Sequence, residues 1–303
     1  MSLPPCTVDP ARVRALLQTV GLGEVREQGT ARRIGGLPVC PVQTDQGRFL
    51  IAVGIPGRDQ PLRLAGRLGA TLTARGLPAT APVAGDGVYP LDDAPALITT
   101  APPGGPVSLP EPTHCAQLGE TLGRLHATEG GGESGSWDRS RRLREQAEPV
   151  ADRLGSEGAA RLREELRFQA LYRFNDLPRG TVHGHPTRPA VHFDGERLAG
   201  ITGLWHSGTD TLLRDLAAAV HDWCTGEDGR LDRERARALL AGYRSIRPCR
   251  PIEQGAWPVL LRTAALQAWI AALRAREAGE ADRHQRLLAH YAAAPHALQD
   301  LWR

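Results

Sequence analysis

Residues 177–205 read LPRGTVHGHPTRPAVHFDGERLAGITGLW, and the fold turns on this stretch. Two β-like runs flank Asp194-Gly195, and Asp-Gly between such runs is a strong hairpin signal. A loop with an H-x-H pair, His183 and His185, leads into the hairpin. On both sides the pattern is helical. Cys115, Leu118, Leu122 and Leu125 share one helical face that ends at His126. Helical spacing resumes over 141–172, 211–223, 231–245, 256–276 and 280–293.

The N-terminal third has another character. Asp9 can cap a helix begun by Pro10, with Val13, Leu16, Leu17 and Val20 on one face and Gly21 as its stop. VCPV at 39–42, RFLIAV at 48–53 and ALITTA at 96–101 read as strands. Between them Leu62, Leu64, Leu68 and Leu72 read as a helix stopped by RGLP at 75–78. APPGGPVSLPEP at 101–112 can be neither helix nor central strand. EGGGESGSWDRS at 129–140 reads as a loop. The expectation is an α+β chain of two lobes. An N-lobe of helix plus antiparallel sheet spans 1–100, a hinge 101–112, and a mainly helical C-lobe 113–303 with the loop and hairpin at 181–205. That is the layout of the protein-kinase-like fold, and layout alone does not give function.

Composition narrows the chemistry. The chain has 303 residues and a net charge of +3, and all 37 basic residues are arginine. Without lysine there is no P-loop lysine, no Schiff base and no lysine on a phosphate. Asn175 is the one asparagine. Arginine alternates with Asp and Glu, so no basic stripe points to nucleic acid. No apolar run approaches about 18 residues, and MSLPPCTVDPAR has no signal core, which predicts a cytoplasmic chain without a membrane partner. Five cysteines without a CxxC argue against a disulfide framework or a zinc ribbon.

Several motifs in order resemble the homoserine kinases of the aminoglycoside phosphotransferase and choline kinase-like superfamily. PTHCAQLGETLGRLH at 112–126 is similar to that family's helix after the hinge, and 177–205 to its catalytic loop and hairpin. DTLLRDLAAAVHDWC at 210–224 resembles its Asp-Leu-Ala…Asp-Trp-Cys helix. GYRSIRP at 242–248 and LLRTAALQAWIAALR at 260–274 continue the match. The resemblance implies an ATP-dependent phosphotransferase of threonine biosynthesis, with His183 and Asp215 as structural braces and Asp222 and Trp223 beside the substrate pocket.

The same resemblance marks departures. The family's loop reads His-Ala-Asp-Leu and then, three residues on, Asn; here His185 stands at the aspartate position and Ala190 at the Mg²⁺-binding asparagine. The family's Ile-Asp-Phe, whose Asp holds Mg²⁺, is replaced by Thr202-Gly203-Leu204. Its glycine-containing loop ends in Glu-Asn-Ser-Asn, and the match here, GTARRIGGLP at 29–38, ends in Gly35, Gly36, Leu37 and Pro38. Ala52 stands where a substituent would face the nucleotide. Arg32, Arg33 and Arg188 remain as groups able to pair with phosphates. Mg²⁺ needs hard oxygen ligands, and Ala190 and Gly203 have none to give. The first expectation is therefore a pseudokinase with a binding or regulatory role toward an unidentified small molecule or protein, without cofactor. The alternative is an active homoserine or other small-molecule kinase using ATP and Mg²⁺. A third reading is a metal-binding protein using His183, His185 and His206.

Overall fold

The computed structural model describes residues 8–128, 139–172 and 174–303. Asp9 Oδ1 accepts the Ala11 N–H at 2.9 Å, and α1 (Pro10–Val20) runs until Gly21 turns left-handed at φ 76°. There follow β1 (Val25–Gln28), β2 (Arg32–Ile34), β3 (Leu37–Thr44), β4 (Arg48–Val53), α2 (Gln60–Ala74), β5 (Val88–Leu91) and β6 (Ala94–Thr100). These strands form one antiparallel sheet in the order β1-β3-β4-β6-β5, with β2 on β3. Strand side chains alternate between faces. Along β4, Phe49 and Ile51 pack against Val13, Leu16 and Leu17 of α1. Leu50 and Ala52 point the other way, into the core shared with the helical lobe.

That lobe comprises α3 (Pro112–His126), α4 (Arg139–Ala151), α5 (Ser156–Leu171), β7 (Arg179–Val182), β8 (Val191–Asp194), β9 (Arg197–Ile201), β10 (Gly208–Thr211), α6 (Leu213–Trp223), α7 (Arg233–Ile246), α8 (Pro251–Ala275), α9 (Ala278–Ala293) and α10 (Pro295–Gln299). β8 and β9 form the expected hairpin around Asp194-Gly195, and β10 pairs back on β7. Strand pairing ties the hairpin to the rest. Gly105 exchanges both backbone hydrogen bonds with Phe193, and Ile201 bonds to Pro78 and Thr80 beyond α2.

Several boundaries differ from the sequence reading. The helix expected over 141–172 is two helices, because the chain turns at 152–155 and Gly155 starts α5. The helix expected from 256 begins at Pro251, where the Arg250 N–H donates to Glu253 in a capping box. The 129–140 loop falls almost wholly outside the described residues. No apolar run reaches 18 residues, but α8, interrupted by Arg262, is long and apolar enough by length and composition to cross a membrane: an 18-residue window of it has a mean hydropathy of 1.3. It is apolar all round because 72% of that window is buried inside the protein.

α3 and α7 lie backbone to backbone. A Cβ on Gly119 would stand 2.0 Å from the Leu239 carbonyl oxygen, and one on Gly242 would stand 2.1 Å from that of Ala116. Neither oxygen can yield without moving a helix. Gly242→Ala should therefore cost about 1–3 kcal/mol, the range for overpacking a closed contact. Urea denaturation checks this, and an unchanged midpoint would refute so close an approach.

Candidate functional site

β7 delivers the chain to the loop 183–190, and α6 holds it from below. Asp215 Oδ2 accepts the His183 N–H at 2.5 Å and Oδ1 accepts the Gly184 N–H at 2.8 Å. The carboxylate is 2% exposed. Burial alone would raise its pKa, but the His126 hydrogen bond, the nearby imidazoles and the Gly184 amide together hold it below the ordinary value. His126 Nε2 lies 3.2 Å from Asp215, and its Nδ1 lies 2.9 Å from the Tyr243 hydroxyl. Arg247 donates to both that hydroxyl and Glu253. A buried polar chain thus runs from the base of the lobe to the loop. Sequence reading found no partner for His126; its contacts to Asp215 and Tyr243 were hidden by separations of 89 and 117 residues.

His183 is wholly buried, which lowers its pKa. Nε2–H donates to the Thr202 carbonyl at 2.8 Å, and Nδ1 accepts the His185 N–H at 3.3 Å. Both nitrogens of the neutral ring are spent. Trp223 and Asp222, expected beside a substrate pocket, also work from beneath. Trp223 is 0% exposed and its indole N–H donates to the Pro186 carbonyl, while Asp222 accepts the Arg188 N–H at 2.6 Å. The Arg188 guanidinium reaches the Ser108 carbonyl and Asp222.

On the cleft side, Ala190 is buried and Gly203 adopts φ 84°. A Cβ on Gly203 would stand 3.5 Å from that of Ala190 and 3.0 Å from Cγ2 of Ile34. The loop and hairpin thus bring 190 and 203 face to face, and an isoleucine from β2 packs against position 203. The Gly35-Gly36 turn has positive φ at both residues, as a two-residue hairpin requires. It is pinned to the helical lobe: His206 Nε2–H donates to the Gly35 carbonyl at 2.7 Å, and a Cβ on Gly35 would lie 2.5 Å from that ring. Ala52 does face this cleft. With Val39, Leu97, Thr99, Gly203, Leu204 and Trp205 it encloses about 10 Å³, the least that admits even one water.

Arg33 is exposed and donates to the Gly36 carbonyl, while Arg32 is half-buried. His185 is exposed with its ring 5.5 Å from that of His206. His183 does not join them as a ligand. Among the described residues no group of three or more His, Cys, Asp or Glu side chains gathers at metal-binding spacing. Neither the methyl of Ala190 nor the hydrogen of Gly203 is an oxygen donor of the kind Mg²⁺ takes. The sequence gives His192, like His126, no supporting partner. It is 4% exposed, and burial with the charges of Arg32 and Arg48 pushes its pKa down to about 4.

The profile of the phosphotransferase enzyme family matches residues 38–249. A homoserine kinase from Methylobacillus flagellatus is 32% identical, covering 98% of this chain and 97% of that one. One from Pseudomonas aeruginosa is 34% identical over 78% of this chain and 77% of its own. Among solved structures, a choline kinase from Cryptosporidium parvum superposes with a TM-score of 0.66 at 14% identity, covering 96% of this chain and 97% of its own.

Asp215→Ala should leave the 183 and 184 amides and His126 without their acceptor. The expected loss is about 3–5 kcal/mol, as for breaking a buried pair from one side. Because the folded pKa lies below 3.8, this contribution is complete above that value and is lost as the pH falls toward the folded pKa. Denaturation of the variant against pH checks both statements; a loss below about 1 kcal/mol, typical of surface pairs, would contradict them.

Proposed function

This chain is a homoserine-kinase-like member of the phosphotransferase enzyme family, and from that premise we propose that it is a pseudokinase that binds a ligand or partner without transferring phosphate. The observation that carries the reading is the apolar facing of Ala190 and Gly203, with Ile34 Cγ2 3.0 Å from where a Cβ on Gly203 would stand. Phosphoryl transfer depends on positioning and on neutralising phosphate charge, with Mg²⁺ bridging the oxygens. The side chains at 190 and 203 do not fit that ion: one is a methyl, the other a hydrogen, and an apolar side chain packs against position 203. Ala52 adds no reach toward a phosphate, and Arg188 is engaged elsewhere. In this reading residues 101–112 are the hinge, the chain works in the cytoplasm, and neither nucleic acid nor membrane is its partner.

A second reading is an active homoserine kinase in threonine biosynthesis, and the names of the relatives favour it, since one of them matches along 98% of the chain. It requires the β2–β3 hairpin to lift and another group to hold the metal. The third reading, a metal site on His183, His185 and His206, is disfavoured by the engagement of both His183 nitrogens.

Calorimetry with ATP and Mg²⁺ separates the first two. We expect no binding tighter than about millimolar, near −4 kcal/mol, and no ADP release with homoserine. Micromolar, Mg²⁺-dependent binding with turnover would establish the second reading in place of the first.

A further inference from the structure

A pocket of about 560 Å³ opens between α3, the β8–β9 hairpin and the chain at 76–78 and 103. It shares no lining residue with the small cavity around Ala52 and Gly203. Its size falls within the range of small-molecule sites, about 300–1,000 Å³. The hairpin ties its walls together. Gln117 Oε1 on α3 accepts the Leu198 N–H at 2.9 Å and Nε2–H donates to the Glu196 carbonyl, so one amide clamps the hairpin tip to the helix. On the other side, Ile201 bonds to Pro78 and Thr80, and Gly105 bonds to Phe193. Pro102 lies so close to β9 that a Cβ on Gly200 would stand 2.7 Å from it. The pocket is therefore preformed.

Leu77 and Leu198 give it apolar surface, and four charged side chains share it: Glu120 and Arg124 on α3, Asp194 and Arg197 on the hairpin. Glu120 and Arg124 are one helical turn apart, in the order that favours an ion pair. Asp194 and Arg197 are opposed in register at the end of the hairpin. Yet among the described residues none of these four side chains makes an ion pair or a hydrogen bond. Two carboxylates and two guanidiniums thus line one cavity with their charges uncommitted. An anion entering it meets two carboxylates, and a cation meets two guanidiniums. An apolar molecule would strip water from charges it cannot replace. A zwitterion finds an opposite charge for each of its ends.

We infer that this pocket binds a free amino acid, its ammonium on Glu120, its carboxylate on Arg124 and its side chain against Leu77 and Leu198. Residues four apart on a helix have Cβ atoms about 5–6 Å from one another, so both heads reach one such molecule. The ligand completes the pair that the two side chains leave open. A guanidinium takes a carboxylate through two parallel hydrogen bonds, and its charge is permanent. Asp194 and Arg197 present the same two signs from the hairpin. The site goes beyond the pseudokinase reading and does not depend on it, since no residue of the cleft takes part.

Thermal unfolding of the full chain with each of the common L-amino acids in turn tests the site. At least one should raise the melting temperature, because a ligand that binds only the folded chain stabilises it. Two blocked forms of that amino acid then separate its charges: the N-acetyl form lacks the ammonium and the amide form lacks the carboxylate. Each should lose about tenfold or more in apparent affinity, as expected for a charge-assisted hydrogen bond. Glu120→Gln and Arg124→Gln should each lose as much. Neither side chain is buried, so both variants should melt like the parent when no amino acid is present. No shift with any amino acid, or blocked forms that bind as well as the parent compound, would overturn the inference. So would a shift that persists in both variants, because it places the amino acid elsewhere, as a substrate in the cleft would be. ATP turnover on the same preparation reads the pseudokinase proposal separately: turnover sinks that proposal and leaves this site standing, whereas a missing shift sinks only this site.

Discussion

A carboxylate without water around it keeps its charge only if donors replace the water. Asp215 meets that condition with two backbone N–H groups, at 183 and 184, and the ring of His126. The arrangement fixes where the loop begins. It also fixes the end of β9, because the His183 ring whose backbone Asp215 holds is bonded to the Thr202 carbonyl. Positions 190 and 203 therefore owe their juxtaposition to contacts made from beneath. The residues that face the cleft carry none of this load, so their identity can vary while the floor keeps its shape.

Much of the fold could be read from the chain because the strongest local signals lie at its corners. Asp194-Gly195 announces the hairpin, and Asp9 with Pro10 announces α1. What escaped was short or dependent on distant partners. β1, β2 and β5 hold three or four residues each, too few for a two-residue period to show. The start of α8 hid behind Pro251 and Pro258, two residues that ordinarily argue against a helix interior. In the site, the His183 N–H donates to Asp215 across 32 residues of chain. That Arg188 meets Asp222 and the Ser108 carbonyl could not be read from the sequence, because those partners are 34 and 80 residues away. Ile34 gave no signal at all, because its position depends on the turn at Gly35-Gly36 and on the histidine that pins it.

The absence of lysine has a structural side as well. Every cation in the fold is a planar fork that cannot give up its proton. Arg262 grips Glu165 with two nitrogens while lying over the Phe168 ring at 3.7 Å. Arg235 holds Asp232 and the Trp223 carbonyl, and Arg247 joins Tyr243 to Glu253. Half-buried carboxylates thus find partners that are less strongly hydrated than an ammonium and more exacting in geometry.

The contact between Ile34 and Gly203 constrains both positions. A larger side chain at 203 crowds the isoleucine, whose Cγ2 lies 3.0 Å from where its Cβ would be. A smaller one at 34 opens a hole in a core that is 2% exposed at that point. Either change alone makes the protein worse, and only the pair together makes room for a carboxylate. Positions 34 and 203 are thus coupled, and the cost of a change at one depends on the size of the side chain at the other.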